Sequence, residues 1–335
     1  MSDVNRCETL GVLLQNFFTQ YLQAQRQVSQ CTIAAYRDTF RLLLVFAEQS
    51  LHRPPAKLTL HDLDRALVLS FLSHLEQVRQ NSVRTRNSRL TAIRSFMHYV
   101  SLQEPSLLAT CSQVLAIPVK KFERPLIGYL TREQIEAILN APNGSTWSGH
   151  RDRVMFATMY NTGARVSEVI NMRGADLSAP PEVSLRIHGK GRKLRTVPLW
   201  NDTAAQLRRW ISVASIGAAD PLFPNRTGAY LTRAGASHRL AEAAAVAANT
   251  CQSLVGVKPT PHLIRHSTAM HLLQSGVDIT VIALWLGHES PVTTHGYIEA
   301  DLEMKERALH ALDSPNQPQG RFEADDQLMK FLEQL

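Results

Sequence analysis

Residues 183–199 read VSLRIHGKGRKLRTVPL, a stretch whose pattern differs from the helical patterns around it. Residues 183–188 alternate apolar and polar side chains with the period of a β-strand, and residues 195–199 do so again. The turn between them carries two glycines and several basic residues, which is typical of a hairpin loop. The stretch therefore predicts one small β-hairpin.

Helical patterns dominate on both sides of this hairpin. Residues 151–171 read as helical, and helical patterns resume after the hairpin up to residue 312. Upstream, residues 31–49 and 84–99 carry apolar side chains at helical spacing, and almost no strand pattern occurs before residue 117. We predict a mainly α-helical protein with a small β-hairpin, an α+β fold.

A basic, proline-containing segment divides the chain of 335 residues, a length that favours two domains. Residues 117–125 read IPVKKFERP, and proline together with charge favours an extended, solvated conformation. We predict a helical domain over 1–116, a linker over 117–129 and a second domain over 130–312. Residues 313–335 are predicted to be a tether followed by a short amphipathic helix.

The net charge favours a polyanionic partner. The chain contains 36 Lys and Arg residues against 29 Asp and Glu residues, which gives a net charge of +7. A soluble basic protein of this kind often binds nucleic acid, although many basic proteins do not.

Membrane, export and metal signals are weak. No apolar run approaches the roughly 20 residues that span a bilayer, and no secretory signal is evident at the N-terminus. We therefore expect a cytoplasmic protein. The four cysteines are far apart and lack metal-ligand spacing, so reduced thiols are expected.

Arg165 is the first candidate for anion binding. It lies in NTGARVSE, residues 161–168, where threonine and glycine are expected to break the preceding helix. Arg165 then comes near the start of a new helix, where backbone N–H groups also favour an anion. Glu168 is one turn further on and can orient the guanidinium. An ordinary surface salt bridge between the two remains the alternative.

The hairpin supplies a second cationic cluster. Five cations lie within ten residues and no acid lies among them: Arg186, Lys190, Arg192, Lys193 and Arg195. The cluster either is solvated or faces phosphate. A lysine on such a turn can also donate a proton to a departing alkoxide.

A third cluster is HLIRH, residues 262–266. His262 and Arg265 are one helical turn apart, so both can point at one phosphate. The spacing of His262 and His266 also fits two zinc ligands, but position 263 is leucine and no third ligand has clear spacing. We therefore expect no metal.

The fourth cluster is LGHESPVTTHGY, residues 286–297. His288 follows a glycine, and Tyr297 comes nine residues later. His295 is an alternative imidazole. Packing of an amphipathic ring is the alternative role for Tyr297.

Together these clusters resemble the tyrosine recombinases, the phage integrase family. The resemblance is close over 130–310 and loose over 10–115, where it implies a helical core-binding domain ahead of the catalytic domain. It rests on the first arginine motif (161–168), the hairpin lysine (189–199), the HxxR box (262–266) and the segment from histidine to nucleophile (286–297). All six catalytic positions hold the family's usual residue type: Arg165, Lys190, His262, Arg265, His288 and Tyr297.

The resemblance implies cleavage and rejoining of DNA strands through a 3′-phosphotyrosyl intermediate, with no metal and no other cofactor. Arg165, Arg265 and His288 are implied to bind the scissile phosphate. His262 is implied to orient the reacting groups or to take up a proton. Lys190 is implied to protonate the departing 5′ oxygen, and Tyr297 to attack the phosphate.

The implied partners are double-stranded recombination sites in the bacterial nucleoid, a homotetramer on paired sites, and accessory recombinases or DNA-bending proteins. The C-terminal helix is expected to dock on a neighbouring protomer or on its own domain. Further DNA contacts are predicted at Arg84, Arg86, Arg89, Arg94, Lys120, Lys121, Arg192 and Lys193.

Several functions fit this resemblance. Residues 293–309 resemble the integrases of bacterial transposons and plasmids, and this resemblance favours integration, excision or transposition of a mobile element. Xer-like resolution of chromosome or plasmid dimers, relaxation of DNA by a type IB topoisomerase-like enzyme, and non-catalytic regulation remain the alternatives.

Overall fold

The computed structural model describes residues 9–122, 128–179, 183–189 and 193–287. The chain forms two compact units, Met1–Arg124 and Pro125–Leu335. Within the described residues, no helix is both long enough and apolar enough to cross a membrane. The predicted fold class is confirmed, since the structure is mainly helical with one two-stranded antiparallel sheet.

The first unit is entirely helical over its described residues. Three 3₁₀ turns, Pro55–Lys57, Leu60–Asp62 and Pro105–Leu107, and a π-helical segment, Phe17–Gln25, connect or extend its helices. The α-helices are α1 (Leu10–Asn16), α2 (Gln30–Leu51), α3 (Arg65–Gln77), α4 (Val83–Gln103) and α5 (Leu108–Leu115).

Side-chain caps fix where these helices begin. Helix α2 begins after Ser29, whose hydroxyl accepts a hydrogen bond from the Thr32 N–H. Thr59 is the N-cap residue of the 3₁₀ turn Leu60–Asp62 and precedes no long helix. The long helix α3 begins instead after Asp64, whose carboxylate accepts from the Leu67 N–H at 2.8 Å.

The core of the first unit is built around an aromatic cluster. Phe17 packs edge-on against Phe40 and Phe96, and all three rings are buried. Leu43 and Leu90 are fully buried in the same core. The apolar side chains that lie at helical spacing in the sequence therefore face this core.

The second unit surrounds α7, which is buried along most of its length. Its 3₁₀ turns are Gly174–Asp176 and Gln252–Leu254, and its strands are β1 (Ser184–His188) and β2 (Leu194–Pro198). The α-helices are α6 (Arg132–Asn140), α7 (Trp147–Thr162), α8 (Val166–Val169), α9 (Asn201–Val213), α10 (Arg233–Ala247), α11 (Pro261–Gln274) and α12 (Ile279–Leu286).

The hairpin lies where the sequence predicts it. Strand β1 pairs with β2 so that Leu185 is opposite Val197 and Ile187 is opposite Arg195. Leu185, Ile187 and Val197 are buried, which shows that one face of the hairpin packs on the core. The N–H of Gly189 donates to the carbonyl of Lys193 at 2.7 Å and closes the hairpin before its turn.

Candidate functional site

Arg165 lies at a break between two helices, as the sequence predicts. Gly163 ends α7 in the left-handed conformation, with φ +58, and Arg165 is the N-cap residue of α8. The Glu168 carboxylate accepts from the backbone N–H of Arg165 at 2.9 Å and from its Nη1 at 3.0 Å. The Arg165 side chain remains 39% exposed, so it can meet an anion from solvent.

Arg265 is buried beneath this break. It lies on α11 and is 2% exposed. Its Nη1 donates to the carbonyl of Gly163 at 2.7 Å, and its Nη2 donates to the carbonyl of Leu286 at 2.8 Å. One guanidinium therefore connects the end of α7 to the end of α12.

The two arginines converge on the same pair of helix ends. Arg165 follows Gly163 by two residues, and its Nη2 lies 3.5 Å from the carbonyl of Gly287. Gly287 ends α12 with φ +64. The Trp285 indole N–H also donates to the carbonyl of Asn161 at 3.3 Å, which adds another link between α12 and α7.

The histidines of α11 differ in exposure. His262 is exposed in the first turn of the helix, where the backbone dipole favours an anion. The ring of His266 lies 4.1 Å from that of His262 and is partly buried. Burial, followed by the charges of His262 and Arg265, lowers the pKa of His266 to about 4. His266 is therefore neutral at pH 7.

Four predicted residues lie outside the described part of the chain: Lys190, Arg192, His288 and Tyr297. Three of them have a described neighbour. Gly189 precedes Lys190 after β1, Lys193 follows Arg192, and Gly287 precedes His288 beside Arg165. The structure thus brings together Arg165, Arg265 and one neighbour of His288. His262 is one turn from Arg265 on the same helix.

Arg195 is a site residue whose contacts the sequence did not predict. Its Nη2 and Nη1 donate to the two oxygens of Glu168 at 2.8 and 3.2 Å, and its Nε donates to the carbonyl of Trp285 at 3.0 Å. The strand period was the available signal, because Arg195 shares the inward face of β2 with buried Val197.

Glu168 is nearly buried between the two arginines. Burial by itself raises the pKa of its carboxyl, but the hydrogen bond and charge of Arg195, and then those of Arg165, outweigh burial and lower the pKa below its ordinary value. The carboxylate is therefore ionised at neutral pH. It balances part of the positive charge that the site collects.

One predicted DNA contact is corrected by the structure. Arg86 is buried, with 4% exposure, and its Nη1 donates to Asn87 and to the carbonyl of Pro118. Its guanidinium bonds groups of the first unit, so we assign Arg86 a packing role. The Nζ of Lys120, also predicted to contact DNA, lies 2.7 Å from a Glu76 oxygen.

The start of the predicted linker is likewise packed. Ile117 is buried in the core of the first unit. The Asn87 amide bonds both the N–H and the carbonyl of Lys120, at 3.1 and 2.8 Å. Residues 117–120 are therefore held along α4.

The remaining predicted DNA contacts differ in access. Arg89 and Arg94 are partly buried, and burial, followed by the charge of Arg79, lowers the pKa of Arg89. The exposed members of the set are Arg84, Lys121 and Lys193.

A cavity of about 370 Å³ lies elsewhere in the second unit. Arg132, Tyr160, Trp200 and His271 line part of it, and the Tyr160 hydroxyl lies 2.7 Å from Nδ1 of His271. Of the predicted catalytic residues that the structure describes, Arg165, His262 and Arg265, none lines this cavity. Within the described residues, no group of three or more His, Cys, Asp or Glu side chains is placed to hold a metal ion.

Comparisons with known proteins assign the family. The profile of the phage integrase family matches residues 128–304, and that of the phage integrase N-terminal SAM-like domain matches residues 16–104. The integrase/recombinase-type protein y4rC of Sinorhizobium fredii is 45% identical over 98% of both chains. The tyrosine recombinase XerC of Pelobacter propionicus is 30% identical over 85% of this chain and 90% of its own.

A solved structure shows the same fold. The integrase of transposon Tn1549, in complex with transposon right end DNA, superposes with a TM-score of 0.67 and 15% identity, over 92% of this chain and 100% of the other. The resemblance noted in the sequence is confirmed. The chain belongs to the phage integrase family of tyrosine recombinases.

Proposed function

We propose that this enzyme is a site-specific DNA recombinase that cleaves and rejoins strands through a 3′-phosphotyrosyl link to Tyr297. The observation that carries this proposal is the convergence of Arg165 and Arg265 on the ends of α7 and α12. Two guanidiniums that bond adjacent carbonyls, those of Leu286 and Gly287, suit a phosphodiester, whose charge they offset.

The proposed reaction exchanges one ester for another. The Tyr297 oxygen forms a bond to phosphorus while the bond from phosphorus to the 5′ oxygen breaks. The phenolic proton passes to His262 or to water, and Lys190 supplies a proton to the departing 5′ oxygen. Since the new ester retains the energy of the old one, a free 5′ hydroxyl can reverse the step on another strand.

The arginines assist the weak nucleophile as well as offsetting the charge of the phosphate. A tyrosine of pKa about 10 costs about 4 kcal/mol to ionise at pH 7. Cations beside the phosphate lower that cost and stabilise the charge that builds on the non-bridging oxygens. His288 is proposed to donate a further hydrogen bond to the same phosphate.

We propose integration, excision or transposition of a mobile element as the biological reaction. The similarity to the integrase/recombinase-type protein y4rC over nearly the whole chain supports this role. The similarity to XerC favours resolution of chromosome or plasmid dimers as a second candidate. In either case the proposed partners are duplex recombination sites, a tetramer on paired sites, and accessory recombinases or DNA-bending proteins.

The direct DNA contacts in this proposal are the cations of the predicted set without Arg86. The set comprises Arg84, Arg89, Arg94, Lys120, Lys121, Arg192 and Lys193.

Covalent trapping tests the proposal. The protein is incubated, without metal or nucleotide, with nicked suicide duplexes taken from the flanks of its own gene, beside Tyr297→Phe. We expect a denaturant-resistant protein–DNA adduct from the wild type and none from the variant. An adduct that persists in Tyr297→Phe would contradict the assignment of the nucleophile.

A second substrate separates the candidate functions. Relaxation of a supercoiled plasmid that lacks such flanks would favour topoisomerase-like activity. Tight binding to flank DNA without any adduct would favour a regulator.

A further inference from the structure

We propose that Arg195 is a positioning residue for the arginine pair, Arg165 and Arg265. It fixes this pair relative to the end of β1 before Lys190 and to the end of α12 before His288. The inference rests on the proposed function, and it adds a residue to which no catalytic role has been assigned above. Its basis is the set of contacts that one guanidinium makes with three separate elements.

The first two elements are α8 and α12. Both terminal nitrogens of Arg195 bind the Glu168 carboxylate, and that carboxylate in turn binds the backbone and side chain of Arg165. The Nε of Arg195 binds the Trp285 carbonyl in the last turn of α12. The side chain is 13% exposed, so these bonds are largely protected from water.

The third element is the end of β1. A Cβ placed on Gly189 would lie 3.6 Å from Nη1 of Arg195 and 3.6 Å from an oxygen of Glu168. The backbone before Lys190 therefore passes beside the Arg195–Glu168 pair, which a side chain at this position would contact.

Gly287 makes an even closer approach. A Cβ on this residue would lie 3.0 Å from Nη1 and 3.2 Å from Cδ of Arg195. Two of the three predicted catalytic residues outside the described part of the chain, Lys190 and His288, thus directly follow glycines that lie beside the same guanidinium. Arg195 gives these two segments a common support.

Lysine cannot replace Arg195 in this geometry. The guanidinium uses two nitrogens for a carboxylate and a third for a carbonyl that lies in another direction. A single ammonium at the end of a flexible chain lacks that fork. Arg195→Lys therefore keeps the charge of the site but loses the link between α8, α12 and the hairpin.

The test compares Arg195→Lys with Arg186→Lys. Arg186 lies on β1 of the same hairpin, is exposed and donates to the carbonyl of Ala175, away from the arginine pair. Rates of adduct formation are measured at saturating DNA on two suicide duplexes. One carries the ordinary 5′ oxygen at the scissile phosphate, and the other carries a 5′ sulfur, which leaves without being protonated.

We expect Arg195→Lys to form adduct about 10²-fold more slowly on the oxygen substrate, which is the scale of loss from misplacing reacting groups by about 1 Å. On the sulfur substrate the loss is expected to be smaller, because the contribution of Lys190 is no longer needed. Arg186→Lys and the wild type are expected to behave alike. DNA affinity, measured on the same samples, is expected to match the wild type for both variants. The melting temperature of Arg195→Lys is expected to fall below that of the wild type, because the ammonium leaves part of the buried Glu168 carboxylate or the Trp285 carbonyl without a donor. Rates are therefore compared at a temperature at which all three proteins are folded.

Three outcomes would overturn the inference: an Arg195→Lys rate within about threefold of wild type on the oxygen substrate, equal losses on both substrates, or an equal loss in Arg186→Lys. Should Arg195→Lys fail to fold, Glu168→Gln removes the same support from the opposite side and is held to the same three criteria. A wild type that forms no adduct, or an adduct that survives Tyr297→Phe, contradicts the proposed function instead.

Discussion

Burial assigns different tasks to the two arginines of the site. Arg265 is enclosed and satisfies two backbone carbonyls, whereas Arg165 is 39% exposed. We expect Arg265→Lys to lower the free energy of unfolding by about 1–3 kcal/mol, because one ammonium leaves a buried carbonyl without its donor. Arg165→Lys is expected to change it by less than about 1 kcal/mol. Chemical denaturation measures both.

Both substitutions are expected to abolish adduct formation on the suicide duplex, since each removes a forked donor from the phosphate. Equal effects of the two variants on stability would contradict the difference that burial predicts.

His266 makes stability depend on pH. Its pKa is about 4 in the folded protein, below the value near 6.5 of a solvent-exposed histidine. The unfolded chain therefore binds a proton on His266 more readily than the folded chain does. As a result, the contribution of neutral His266 to the free energy of unfolding is complete above about pH 6.5 and is lost as pH falls towards 4. The ring is partly exposed, so we expect a loss of about 1–2 kcal/mol, less than the full shift implies.

His266→Gln isolates this effect. We expect the free energy of unfolding of the variant to fall less than that of the wild type between pH 7 and pH 4.5, as followed by denaturation at each pH. Parallel curves for the two proteins would show that other groups cause the acid sensitivity.

At the scale of elements, the packing of α12 on α7 depends on one glycine. Gly163 has φ +58, and a Cβ on it would lie 2.4 Å from Cδ2 of Leu286. Gly228 also has a left-handed φ, +84, but a Cβ there would meet nothing within 4 Å. Gly228→Ala is expected to cost about 1 kcal/mol of stability from backbone strain alone.

Gly163→Ala is expected to cost about 1–3 kcal/mol more than Gly228→Ala, because α12 must shift away from α7. It is also expected to slow adduct formation, since the shift moves Gly287 away from Arg165. Unfolding curves and adduct yields of the two variants provide the comparison. Similar losses in both would mean that α12 accommodates the extra methyl group.

Local signals explain which elements the sequence predicts. The cap at Ser29, the helix break at Gly163 and the hairpin all follow from a few adjacent residues. The positions of the Arg86 and Arg195 side chains depend on hydrogen bonds to carbonyls far along the chain, those of Pro118 and Trp285. No spacing in the sequence indicates these partners. The sequence alone therefore does not show whether a basic residue contacts phosphate or packs inside the protein.

At the scale of the whole molecule, the net positive charge is unevenly divided between the two units. Residues 1–124 contain 15 Lys and Arg against 9 Asp and Glu, whereas residues 125–335 contain 21 against 20. Almost all of the net positive charge thus belongs to the first unit. We expect that unit to contribute most of the non-specific attraction to DNA, while the second unit uses a few cations held at the site.

The salt dependence of DNA binding tests this division in the full chain. Each phosphate contact contributes about 0.9 to the slope of log affinity against log salt. Arg84→Gln and Lys121→Gln remove exposed cations from the first unit, so each is expected to reduce the slope by about one contact. Arg53 is the matched control, since it belongs to the same unit but lies 3.1 Å from a carboxylate oxygen of Asp62. Its replacement by glutamine is expected to leave the slope unchanged, and a reduction as large as that of Arg84→Gln would show that net charge alone, without particular contacts, sets the affinity.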